Sequence, residues 1–154
     1  MQLSGRAVAI LAALAASSAS AQTVKQTLEV TRQAAETQRR VLVSGVLLMT
    51  DEESKSFWPL YDSYEKERRP IDERANHLVA DFVAAYQTMA DTQAKAMLQE
   101  ELNIDVARLK LRRDFMDRMG RVLPARKLVR FFQIQSKLDA VIRADISRQI
   151  PLVP

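Results

Sequence analysis

The chain has 154 residues, of which 47% are hydrophobic and 27% are charged, so its composition is that of a folded protein and excludes intrinsic disorder. The formal net charge is only +4 and no nucleic-acid-binding motif accompanies it, so we expect no nucleic-acid partner. With 3 glycines and no cysteine, the sequence favours long helices and excludes disulfides, thiolate metal sites and a cysteine nucleophile.

The first residues are typical of a secretory signal peptide. Arg6 supplies a positive charge, residues 7–16 form an apolar run too short to span a bilayer, and Ala19-Ser20-Ala21 fits a cleavage site. We therefore expect a signal peptide at 1–21, a periplasmic mature chain, and one all-helical domain at 22–154. An uncleaved anchor or a buried helix is the alternative interpretation.

The first two helices of the mature chain differ in the strength of their signals. Residues 23–45 carry a weak apolar stripe, which predicts a helix that forms by packing on a partner. Residues 50–53 read T-x-x-E, a capping box that predicts the start of a second helix. Pro59 and Pro70 fall inside this second helix and predict bends rather than breaks. Its first apolar face consists of Phe57, Leu60, Tyr61 and Tyr64.

The third helix carries two apolar stripes. We expect Asp91 or Thr92 to cap its start and Gly120 to end it. One stripe consists of Leu98, Leu102, Val106, Leu109 and Met116. The other stripe, roughly 150° away around the axis, consists of Met97, Ile104, Leu111 and Phe115. Because a surface helix needs only one apolar stripe, this pattern predicts a hairpin partner on one side and another helix or subunit on the other.

The last helix is basic on one face. Pro124 stands where its first turn is expected and Pro151 where it is expected to end. Its apolar side chains are Leu128, Phe131, Leu138, Ile142 and Ile146, and its aligned basic side chains are Arg126, Arg130, Lys137 and Arg148. The basic face suits capture of partly acidic unfolded chains, weak contact with anionic lipid headgroups, or simple solubility.

Two of the expected helix starts resemble the motif of a known family. Residues 49–53 (MTDEE) are similar to the Leu-Thr-x-x-Gln motif of the CpxP/Spy family of periplasmic proteins, and residues 122–127 (VLPARK) are similar to its second copy. Glu53 stands in place of the first glutamine, and Pro124 and Lys127 replace Thr and Gln in the second copy. The resemblance covers roughly residues 48–138.

The resemblance implies an elongated, kinked, antiparallel helical hairpin of about four helices that dimerises into a curved cradle. It also implies ATP-independent chaperone activity or binding to the sensor domain of an envelope-stress kinase. Some relatives in the family bind metal. Non-native or regulatory envelope proteins are therefore the expected partners, and the chain is expected to form a homodimer.

Catalysis and metal binding find little support in the sequence. His77 is the only histidine and has neither a serine partner nor a glycine-rich loop, so we expect no enzyme activity and no cofactor. Glu73, His77 and Asp81 share one helical face and are weak candidates for a divalent metal ion, with a solvated polar face as the alternative.

The remaining candidates are protein-binding residues. Trp58 is offset from the apolar face of its helix, so it is either an exposed binding anchor or part of the core. The full set of protein-binding candidates is Trp58, Met97, Ile104, Leu111, Phe115, Arg126, Arg130 and Lys137. We expect a chaperone or stress adaptor; the alternatives are a dedicated partner of a sensor kinase or anti-sigma factor, and a metal-responsive protein.

Overall fold

A computed structural model of the chain describes Gln26, Val30, Ala34, residues 37–148 and residues 150–153. This part is all-helical and contains no strand, which confirms the predicted fold class. Its helices are α1 at 37–47, α2 at Asp51–Ala85, α3 at Asp91–Met119 and α4 at Ala125–Ser147. No helix in this part has the length and apolar character needed to cross a membrane. The expected signal peptide and its cleavage site lie outside the described residues.

The predicted capping box forms at the start of α2. The Glu53 N–H donates to Thr50 Oγ1 at 3.2 Å, and the Thr50 N–H donates to Glu53 Oε2 at 2.7 Å. Two backbone donors that the helix itself leaves unsatisfied are thereby paired, which fixes where α2 begins.

Helix α2 runs unbroken through Pro59 and Pro70, as expected. Each proline deprives a carbonyl one turn earlier, that of Lys55 or Lys66, of its usual donor. Both prolines and both lysines are exposed, so water can satisfy these carbonyls and the helix continues.

The helix ends around α3 and α4 correct two predictions and confirm a third. Ala90 precedes α3 without a side-chain hydrogen bond, and Asp91 is already helical, so neither Asp91 nor Thr92 is the cap. Helix α3 ends at Met119 with Gly120 as its C-cap, as predicted. Gly120 has φ −61°, a right-handed value, and the chain continues into a turn in which the Leu123 N–H donates to the Met119 carbonyl at 2.9 Å. Helix α4 ends at Ser147, before the expected stop at Pro151.

Helices α2 and α3 form an antiparallel hairpin, as predicted. Three ion pairs join them: Glu67–Arg118 at 2.9 Å, Asp72–Arg108 at 3.3 Å and Arg74–Glu100 at 2.8 Å. Since residue numbers rise along α2 as they fall along α3, the two helices run in opposite directions from the turn at 86–90.

All four helices meet at the end of the hairpin away from this turn. Helix α1 lies antiparallel to α4, because Arg39 bonds to Gln135 and Asp139 while the Val46 carbonyl accepts from Arg130. The buried cluster at this four-helix end comprises Val43, Leu47, Phe57, Tyr61, Tyr64, Leu111, Phe115, Met119, Leu123 and Phe131. The predicted core positions Phe57, Tyr61 and Tyr64 are therefore confirmed.

The other end of the hairpin, which we call the arm, consists of residues 72–85 of α2 and 91–107 of α3. Its fully buried side chains among the described residues are only Ala80 and Ile104. Two helices alone cannot enclose a core as four can, so the arm leaves much apolar side-chain area in contact with water.

Candidate protein-binding surface

One of the two predicted apolar stripes on α3 faces solvent. We call it the α3 stripe, and its members are 61% (Leu98), 60% (Leu102), 67% (Val106), 51% (Leu109) and 44% (Met116) exposed. These residues recur every three, four or seven positions, so they share one side of the helix over about 27 Å. An exposed row of large apolar side chains of this kind is typical of a binding site.

The other stripe consists of Met97, Ile104, Leu111 and Phe115, which were predicted from the sequence to bind a partner. This prediction is wrong for three of the four. Ile104 is 2% exposed, Leu111 is 7% exposed and Phe115 is fully buried. Phe115 lies 4.2 Å from Tyr64 and 5.3 Å from Phe131, measured between ring centroids. This stripe is occupied by α2 and α4, and only Met97, in the arm, remains partly exposed. The stripe proposed for partner binding is therefore the buried one, and the other stripe is the one that faces solvent.

Trp58 occupies an intermediate position between core and surface. Its ring packs edge-on against Phe57 at 5.0 Å and against Tyr61 at 5.5 Å. The guanidinium of Arg40, from α1, lies over its ring at 4.4 Å. Because its ring contacts Arg40 of α1 as well as Phe57 and Tyr61 of α2, Trp58 serves to hold α1 against α2.

The basic residues of α4 have two different roles. Arg126 and Lys137 are exposed and have no ion-pair partner among the described residues. Arg130 donates to the Val46 carbonyl at 3.2 Å, at the carboxyl end of α1, where the helix dipole favours a cation. Arg126 and Lys137 are therefore available to an acidic partner, whereas Arg130 also stabilises the fold.

A junction that the sequence did not reveal joins α1, α2 and α4. Lys127 Nζ donates to the Leu48 carbonyl at 2.8 Å and to Glu53 Oε2 at 2.5 Å. The hydrogen bond from Lys127, reinforced by the Thr50 backbone, lowers the pKa of the Glu53 carboxyl below its ordinary value of 4.5. Leu48 itself has φ 46°, the left-handed conformation that favours glycine. A positive φ at a leucine leaves no trace in sequence periodicity.

Arg39 is the second feature that the sequence did not reveal. Its side chain is 2% exposed and lies against Gln135, which is 4% exposed. Its guanidinium donates to Gln135 Oε1 and to Asp139 Oδ1. Within the described part of the chain, Arg39 Nε and Gln135 Nε2 are buried without a hydrogen-bond partner. Helix α1 therefore buries a polar side chain at position 39, where a regular apolar stripe would place an apolar one.

Other titratable groups at the four-helix end are structural. Burial raises the pKa of the Tyr64 hydroxyl from 10.0 to about 12 and also raises that of Tyr61. Burial lowers the pKa of Arg68, but the neighbouring carboxylates of Asp72 and Glu65 outweigh it and raise the pKa overall. The phenols are neutral and the guanidinium is charged at ordinary pH even without these shifts, so none of the three groups titrates there.

The weak metal candidates do not come together. Glu73, His77 and Asp81 lie along one side of α2, and no group of three such side chains in the described part of the chain is arranged to hold a metal ion. The spacing explains the result, because eight residues of helix separate Glu73 from Asp81 by about 12 Å.

The described residues therefore present an exposed apolar surface, the α3 stripe, and exposed basic side chains on α4 that have no ion-pair partner in the described part of the chain. Comparison with protein-family models, with curated protein sequences and with solved structures finds no match to this chain.

Proposed function

We propose that this chain is a protein-binding protein of the bacterial periplasm that captures non-native polypeptides without ATP and forms a homodimer. The exposed α3 stripe is the observation that carries the proposal, since five large apolar side chains on one side of a helix remain 44–67% exposed. Full burial of one such side chain stabilises a complex by about 1.5–3 kcal/mol. The periplasmic location rests on the signal-peptide pattern at residues 1–21.

The arm suits the capture of varied apolar segments. Its two helices are held by ion pairs such as Arg74–Glu100, in which the side chains are 45% and 37% exposed. Exposed ion pairs stabilise weakly, so the helices can adjust to a client at little cost in free energy. Outside the arm, Met116 of the same α3 stripe adds a flexible side chain that adapts to irregular partners.

The charge distribution of α3 supports self-association in one orientation. Residues 91–105 contain four acids and one lysine, a net charge of −3. Residues 106–119 contain five basic residues and two acids, a net charge of +3. Antiparallel packing of two α3 stripes places the acidic half of each helix against the basic half of the other, whereas parallel packing places like charges together. A second copy and a client then compete for the same surface.

An aggregation assay tests the client-binding proposal. The triple variant Leu98→Gln, Leu102→Gln, Leu109→Gln should need at least about tenfold more protein to suppress aggregation of unrelated clients in the absence of ATP, because it loses about 1.4 kcal/mol or more of apolar contact. The matched control is Val129→Gln, Val141→Gln, which removes exposed apolar side chains from α4. Equal suppression by the two variants would exclude the α3 stripe as the client-binding surface.

A pull-down and a mass measurement separate the alternatives. A dedicated partner of a sensor kinase or anti-sigma factor would retain one tight ligand from periplasmic extract and suppress no general aggregation. Sedimentation should show that the unmodified protein self-associates more strongly than the triple variant, because the variant loses the contact between two α3 stripes. A monomer at all concentrations would contradict self-association through the α3 stripe.

A further inference from the structure

Helix α1 contacts the rest of the four-helix end through a narrow face. Arg39, Val43 and Leu47 point inward at four-residue intervals and are at most 2% exposed. On the remainder of the helix, Val41 is 67% exposed and Leu42 is 41% exposed. Helix α1 therefore lies as a strap over a groove between α2 and α4 and contributes only three side chains to the interior.

The groove selects its occupant by chemistry as well as by shape. Its floor is aromatic, with Phe57 and Phe131 at a centroid separation of 5.9 Å, and its far end presents Gln135 and Asp139. An occupant must bring a guanidinium to that polar pair and apolar side chains four and eight residues later. At the end near α2, Lys127 and Arg130 donate hydrogen bonds to backbone carbonyls at the carboxyl end of the bound helix. Two cations at this position favour the carboxyl end of a helix over its amino end.

The connection that keeps α1 in the groove of its own chain is short and strained. Only residues 48–50 separate α1 from α2, and Leu48 holds φ 46° in order to reverse the chain direction. A left-handed conformation at a non-glycine residue is unfavourable, and a short strained hinge favours exchange of the attached element between copies.

We propose that two copies of this chain exchange α1, so that each strap fills the groove of the other copy. Exchange reproduces every contact of Arg39, Val43 and Leu47, because the second groove carries the same Gln135 and Asp139. It also releases the left-handed conformation of Leu48, since the connection no longer turns back on its own α2. The exchange uses the opposite end of the molecule from the arm and does not depend on the function proposed above.

Chemical crosslinking between two single-cysteine variants tests the exchange. The chain has no cysteine, so Arg40→Cys and Asp62→Cys each introduce a unique thiol. The two positions form an ion pair at 2.5 Å and are 53% and 57% exposed. The substitutions remove surface contacts of α1 but leave its buried side chains, Arg39, Val43 and Leu47, in place. The variants are mixed, unfolded and refolded together, and treated with a short bis-maleimide. A covalent product that joins one chain of the Arg40→Cys variant to one chain of the Asp62→Cys variant is expected.

The controls make the result decisive. A mixture of Arg40→Cys with Lys95→Cys, an exposed position at the start of α3, measures random encounter and should give at least severalfold less product. The double variant Arg40→Cys, Asp62→Cys reports closure within one chain. Crosslinking in the double variant only within single chains, with no product above the control in the mixture, would overturn the proposal.

A hinge variant separates exchange from association through the α3 stripe. Leu48→Gly removes the strain and should lower the yield of the mixed product severalfold, while Leu102→Gln, Leu109→Gln should leave that yield unchanged. Loss of the product in the stripe variant but not in the hinge variant would assign the dimer to α3 and exclude exchange of α1.

Discussion

Leu48 is the one described residue other than glycine with a positive φ, and its side chain is 72% exposed. It therefore incurs the cost of a left-handed backbone without the benefit of core packing. Leu48→Gly should raise the free energy of unfolding by about 1 kcal/mol, because glycine adopts this conformation without a Cβ clash. Urea unfolding, followed by circular dichroism at a protein concentration low enough to dissociate the proposed dimers, measures the change.

The matched control makes the same chemical change in a right-handed helix. Leu98 is 61% exposed and lies within α3, so Leu98→Gly should lower the free energy of unfolding by about 0.5–1 kcal/mol. If both substitutions destabilise the protein to the same extent, the left-handed conformation at Leu48 carries no strain.

Single residues also show which structural features can be predicted from the sequence and which cannot. Thr50 and Glu53 are three residues apart, so their reciprocal hydrogen bonds follow from the local sequence and are predicted correctly. Arg39 bonds to a residue 96 positions away, and nothing in its own neighbourhood indicates that its charge is buried. Local rules identify caps and turns, whereas a buried polar contact between distant helices requires their packing to be known.

At the scale of elements, the Glu53–Lys127 ion pair joins the start of α2 to α4. The pKa of Glu53 is lower in the folded protein than its ordinary value of 4.5, so the unfolded chain binds a proton there more readily than the folded chain. This contribution to stability is present above about pH 4.5 and is lost as the pH falls through the folded pKa. Glu53→Gln should therefore reduce the loss of stability between about pH 5 and pH 3.

Thermal unfolding at a series of pH values tests this prediction. Glu52→Gln is the matched control, because Glu52 lies beside Glu53 in the same first turn and is exposed. The control should keep the acid dependence of the unmodified protein. An equally steep acid loss in Glu53→Gln would show that the bond to Lys127 does not contribute to acid stability.

The helices also show why the sequence alone could not indicate which of the two α3 stripes is buried and which is exposed. Periodicity identifies both stripes correctly, but each consists of large apolar side chains, and angular position alone does not distinguish them. The buried stripe is the one that meets the aromatic residues of α2 and α4, as Phe115 does with Tyr64 and Phe131. This choice depends on where α4 returns after the turn at 120–124, which lies beyond the pattern of α3 itself.

At the scale of the whole molecule, the two ends of the hairpin bury unequal amounts of apolar surface. The four-helix end buries a connected cluster of aromatic and aliphatic side chains, whereas the arm buries only Ala80 and Ile104 fully among the described residues. Local opening free energy follows buried apolar contact, so the arm should open independently of the rest of the protein. An arm that opens readily can also adapt to different clients, which connects its stability to the proposed function.

Hydrogen exchange measured by mass spectrometry tests this difference. In dilute protein, amides in 76–82 and 97–104 should exchange at least about tenfold faster than those in 57–64 and 111–118, which corresponds to an opening free energy about 1.4 kcal/mol lower. Protection of 97–104 that rises with protein concentration would indicate that a second copy covers the α3 stripe. Equal protection at both ends in dilute protein would mean that the hairpin opens as one cooperative unit, and a client would then have to bind a rigid surface.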